Sequence, residues 1–155
     1  MNRTLAYSTL IFIAVGLTVI SPTKPQYLSD SNSFLSQFVN HEFLNILGVI
    51  LAITLASVAN IHLAFNRIEE KFNKPNALVK SRANLKKSSY WLIGLFIVGG
   101  VLVVVKPIAC VSEVSIALFN SGAILVLVWH ILILISLTEL VFRIEPSFPP
   151  DNSKD

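Results

Sequence analysis

His130 lies near the middle of the last apolar stretch of this 155-residue chain, and an ionisable group at that depth is costly to keep. An imidazole there can line a pore or relay a proton. No second acid lies at the same depth to complete a relay pair. The other reading is a neutral ring hydrogen-bonded between helices, with Asn60 or Thr138 as its partner. Nearer the end of the same stretch, Glu139 and Arg143 stand four residues apart, so they share one helix face. Such a pair can gate or bind a ligand. It can also be an arginine reaching toward the interface and neutralising the acid beside it.

The remaining candidates are weaker. His41 and Glu42 are adjacent and offer a metal or a proton two ligands, without a third. His62 is too far away to help, because 21 helical residues separate it from His41 by about 30 Å. Cys110 is the single cysteine and has no histidine near it in sequence, which excludes an internal disulfide and any cysteine-rich metal site. There is no His-Glu-x-x-His, no Gly-x-Ser-x-Gly, no phosphate-binding glycine loop and no Cys-x-x-Cys. The chain is expected to be no enzyme and to carry neither metal nor cofactor.

The elements that position these residues are four apolar runs, about 4–20, 43–65, 90–105 and 116–142. At about 1.5 Å per helical residue each roughly matches a ~30 Å hydrocarbon core, some of them only with thinning or snorkelling. Composition agrees: 54% of residues are hydrophobic and 14% charged, against about 25% charged in soluble domains. The expected fold is all-α, a polytopic membrane protein of four transmembrane helices in one domain (residues 1–145) with a flexible tail at 146–155. The first run follows Arg3 as a signal peptide would. Yet Val19-Ile20-Ser21 is a poor cleavage motif and Pro22 follows it, so the run is expected to stay as a span.

Charge gives the orientation. The loop 66–89 holds Arg67, Lys71, Lys74, Lys80, Arg82, Lys86 and Lys87, opposed only by Glu69 and Glu70. With this loop and both termini in the cytoplasm, ten basic residues lie inside and two, Lys24 and Lys106, outside. The net charge of +3 is thus first a topology signal in a bacterial inner membrane. The loop reads as a helical hairpin extending spans two and three, with Glu70 and Lys74 an i,i+4 pair, a break at 73–76 and a second helix at 77–87. Its lysines and arginines can meet anionic lipid or a cytosolic protein. Nucleic acid is not expected as a direct partner, since stacking aromatics are missing from the centre of the loop.

Helix ends and packing faces follow from the remaining pattern. Ser21-Pro22 is expected to end span one, which otherwise looks like a plain anchor, and Lys106-Pro107 to end span three. Asp30-Ser31-Asn32-Ser33 supplies capping residues for an amphipathic interfacial helix through Phe34, Leu35, Phe38 and Val39, running on into span two. Gly48, Ala52, Ala56 and Asn60 are spaced by four and form a ridge of small residues, expected to be the main packing ridge toward another span or another copy.

The segments 41–50 and 60–70 look like small bacterial inner-membrane proteins. The four-span layout with a basic hairpin resembles membrane components of anti-phage defence systems such as Kiwa KwaA. That resemblance is architectural, covers the four spans and carries no motif, so no residue role is transferred from it. It implies a homo-oligomer that senses membrane disturbance and works with a cytosolic effector. From the residues themselves three roles remain open: a scaffold or sensor docking a cytosolic partner, an oligomeric pore lined by Asn60, His130 and Thr138, and a small transporter subunit.

Overall fold

The computed structural model describes residues 3–73 and 77–143. Four long helices dominate it: α1 (Arg3–Thr23), α3 (His41–Lys71), α4 (Val79–Ala109) and α5 (Glu113–Arg143), with a 3-10 turn at Pro25–Tyr27 and a short α2 (Ser33–Phe38) between the first two. No strand occurs among the described residues. All four long helices are long and apolar enough to cross a membrane.

Local chemistry sets where each helix starts and stops. Asn32 caps α2 by accepting from the Phe34 N–H, and Asn40 caps α3 by accepting from the Glu42 N–H. These caps divide what the sequence suggested was one continuous helix. Val39 and Asn40 leave helical geometry, so α2 packs as a separate piece. After α3, Asn73 takes a left-handed φ of 47°, a conformation Asn tolerates just past a helix end. Ser112 and Ser115 exchange side-chain and backbone hydrogen bonds at the start of α5, a capping box with serine in the place of the usual Glu or Gln. Two helix ends lie later than expected. α1 continues to Thr23 through Pro22, and α4 to Ala109 through Pro107. Each proline sits near the last turn, so the i→i−4 hydrogen bond it removes is one of the last in its helix.

α5 is the central helix. α1 packs on it, α4 packs on it, and α3 packs mainly on α4 with a smaller contact to α5. Two apolar cores sit at different heights. One gathers Phe43, Leu47, Leu95, Ala123 and Val126 beneath Leu35 and Val39. The other joins Ile61, Phe65, Leu85, Leu92 and Leu137. Outside the cores, large apolar side chains such as Phe12, Val104 and Ile108 are broadly exposed, as a lipid-facing surface requires.

Within the chain, α3 packs through a face other than the small-residue ridge. Phe43, Leu47, Thr54, Ile61 and Phe65 are its buried residues, while Ala52, Ala56 and Asn60 are exposed and Gly48 is half-buried. Within the chain, the small ridge is therefore not the main seam. The smooth surface lies across the contact, on α4. A Cβ added to Gly99 would stand 2.7 Å from Leu47 Cδ1 and 3.1 Å from Phe43 Cε1. Large side chains of α3 thus fill the notch left by one glycine of α4, which brings the helices close.

Gly99→Val is expected to overpack this contact and destabilise the bundle by about 1–3 kcal/mol. Gly100→Val, where an added Cβ meets nothing within 4 Å, is expected to leave the thermal midpoint in mild detergent unchanged. Equal midpoints for the two variants would refute the notch.

Candidate functional site

Lys80, Lys86 and Lys87 stand exposed on the first turns of α4, and Arg67 and Lys71 on the last turns of α3. Arg82 has a different role. Its Nη1 donates to Asn66 Oδ1 at 2.7 Å and its Nη2 pairs with Glu69 Oε2 at 2.8 Å. The other Glu69 oxygen accepts the Leu78 N–H at 2.9 Å, which satisfies one backbone donor at the entrance to α4. The planar guanidinium fork suits two acceptors on one neighbouring helix, which a lysine could not match. Arg82, expected to contact a partner or lipid, is thus committed to clasping α3 to α4. Lys86 Nζ lies 5.8 Å above the Tyr90 ring, a cation–π contact. Lys74, its expected pairing with Glu70, the break at 73–76 beyond Asn73, and the tail 146–155 lie outside the described residues, as does the Arg143 side chain expected beside Glu139.

The intramembrane polar groups are not brought together. His130 is completely enclosed. Its Nδ1 lies 3.3 Å from the Val126 carbonyl oxygen, and its Nε2 has no hydrogen-bond partner among the described residues. The expected bond to Asn60 or Thr138 is not formed. Asn60 is exposed on α3. The Thr138 hydroxyl donates instead to the Leu134 carbonyl one turn back on its own helix, at 2.9 Å. Glu139 is half-buried along a groove beside α1 and α4.

A polar cluster that sequence reasoning missed lies at the opposite end of the bundle. Lys106, near the end of α4, is buried and pairs with Asp30 at 2.7 Å. The same Asp30 Oδ1 accepts from Asn120 Nδ2 at 3.2 Å, and Asn120 Nδ2 also donates to the Leu28 carbonyl at 2.8 Å. Both contacts are acceptors, which fixes the orientation of the Asn120 amide and leaves its Oδ1 without a partner among the described residues. Nearby in sequence, the buried Ser21 and Ser121 hydroxyls meet at 2.9 Å and join α1 to α5. Ser31 adds a bond to Glu113 at 3.1 Å. Together these contacts tie the segment linking α1 to α3 onto α4 and α5. The available signals were Lys106, isolated at a span end, and Asp30, the one acid of its loop before Glu42. Their separation of 76 residues hid the pairing.

His41 and Glu42 are exposed. Among the described residues no group of three or more His, Cys, Asp or Glu side chains is placed to hold a metal ion. Comparison with protein-family models, with curated proteins and with solved structures found no match to this chain.

Lys106→Met is expected to destabilise the bundle by about 1–3 kcal/mol, the worth of a charge-assisted hydrogen bond removed from a partly buried site. Asp30→Asn in the same chain should add little, because the two side chains act as one unit. Fully additive losses in thermal midpoint would show that the pair is not coupled.

Proposed function

We propose that this chain is a non-enzymatic, homo-oligomeric scaffold or sensor of a bacterial inner membrane, with its basic end and both termini in the cytoplasm, where it docks a protein partner. The observation that carries this reading is the basic end itself. Arg82 is spent on holding α3 and α4 together, while Arg67, Lys80, Lys86 and Lys87 stay exposed around that clasp. A braced, cationic helix pair favours a partner with an acidic surface, since charge complementarity steers encounter and fixes register. Anionic headgroups around the same end follow from the same charges.

Oligomerisation is assigned to the outward face of α3. Ala52 and Ala56 permit close backbone approach, and Asn60 is a carboxamide turned away from the chain's own core. The anti-phage setting rests on the architectural resemblance alone. A pore is the second reading. His130 is enclosed whereas Asn60 and Thr138 are exposed on different helices, so no one surface of the chain carries all three.

Orientation has a built-in probe. Cys110, the only cysteine, is partly exposed just after α4, at the end away from the basic residues. A membrane-impermeant maleimide is expected to label it in intact spheroplasts. Labelling only after permeabilisation would invert the topology.

The scaffold reading is tested by native mass measurement of the complex purified from its own cell. More than one copy together with a cytosolic protein is expected. Lys80→Glu with Lys86→Glu should lose the cytosolic protein, and Ala52→Leu with Ala56→Leu should lose the additional copies. A lone chain in the unaltered complex would refute the proposal.

A further inference from the structure

α1 and α4 each pack on α5, and a groove of about 340 Å³ lies between them. That volume falls within the roughly 300–1,000 Å³ of small-molecule sites. The polarity of the groove changes along its length. At the basic end of the bundle its walls include Tyr7, Asn84, Lys87, Ser88 and Glu139. Deeper along the helices the walls are Leu10, Leu132 and Ile133, with Trp91 and Trp129 stacked at 5.3 Å between ring centroids. On α4 the residues 84, 87, 88 and 91 follow one helical face, and on α5 so do 129, 132, 133, 136 and 140. The groove thus runs along the helices with its charged groups toward the mouth and mainly apolar walls below, interrupted by Ser136.

We infer that this groove binds an aminophospholipid of the surrounding bilayer. Its phosphate would sit on Lys87, its ammonium on Glu139, and an acyl chain along the apolar floor. Two observations support that occupant. The mouth lies at the end of the bundle where the exposed Tyr7 and Tyr90 side chains suit an interface. The walls offer a cation and an anion together, which matches a headgroup bearing both charges better than one bearing only a negative charge. A carboxylate also has about four acceptor positions, so an ammonium joins whatever partner Glu139 already holds. The exposed lysines elsewhere on this end would gather anionic lipid without selection, whereas the groove selects by paired charge. The inference rests on the chain being embedded in a bilayer. It requires neither a particular face in the cytoplasm nor a partner protein.

The chain carries its own reporter, because its two tryptophans both line the groove. The experiment reconstitutes the full chain in mixed vesicles of phosphatidylethanolamine and phosphatidylglycerol. One lipid or the other carries brominated acyl chains, and tryptophan quenching is measured at equal mole fraction. Brominated phosphatidylethanolamine is expected to quench more, with a preference on the order of tenfold, about what one charge-assisted hydrogen bond supplies. Glu139→Gln should remove the preference, Lys87→Met should weaken quenching by both lipids, and Lys80→Met, outside the groove, should change neither. Equal quenching by the two lipids in the unaltered chain, or a preference for phosphatidylglycerol, would overturn the aminophospholipid site while leaving the membrane assignment intact. No quenching by either lipid would overturn the membrane assignment itself.

Discussion

Within a hydrocarbon core no water is available to a peptide group, so each backbone N–H and C=O in a lipid-exposed span must be satisfied inside its own helix. Other features of this chain follow from that constraint. α2, α3 and α5 begin at capping residues, and helices end where an asparagine or a final-turn proline lets the backbone leave. Among the described residues, non-helical backbone is confined to the connections at the bundle ends. Polar side chains inside the spans obey the same rule in a minor form. Thr9, Thr18, Thr54, Ser57, Ser89, Ser121, Ser136 and Thr138 all donate to the carbonyl four residues earlier. A hydroxyl that folds back in this way needs no partner on another helix.

Against that background the residues that cannot satisfy themselves stand out. Asn120 and His130 are both fully enclosed, and each keeps one polar atom without a partner among the described residues. Asn60 meets the problem from outside, as a carboxamide on the exposed face of α3. Three groups on two helices thus carry the polar cost that the serines and threonines avoid.

Much of this architecture was legible in the residues. Apolar runs of membrane length name their own helices, because a core this small could not bury so much apolar surface away from water. Asn32 and the sharp stop after α3 were readable from capping chemistry. Other features were not readable, for identifiable reasons. The spacing of Gly48, Ala52, Ala56 and Asn60 announces a face suited to close contact, but spacing alone cannot say what meets it. Inside the chain the large side chains of α3 won that contact, because Gly99 on α4 supplied the space. Asp30, Lys106 and Asn120 come from three separate parts of the sequence, and no periodicity links them. Arg82 looked like one more positive charge in a basic loop. Only its distances to Asn66 and Glu69 mark it as part of the frame. The candidate sites were therefore less legible than the fold, since function here depends on which side chains meet across helices.

The unequal lengths of the helices have a mechanical consequence. α1 has 21 residues, whereas α3, α4 and α5 have 31 each, or about 31 Å against about 46 Å. A bilayer that thickens or thins therefore loads the short helix differently from the three long ones. At one end α1 is joined to the rest through Ser21 on Ser121 and through the following turn, which Asp30 fastens to Lys106. Differential strain between the short and long helices thus has a load path at this end, shared between the serine pair and the ion pair.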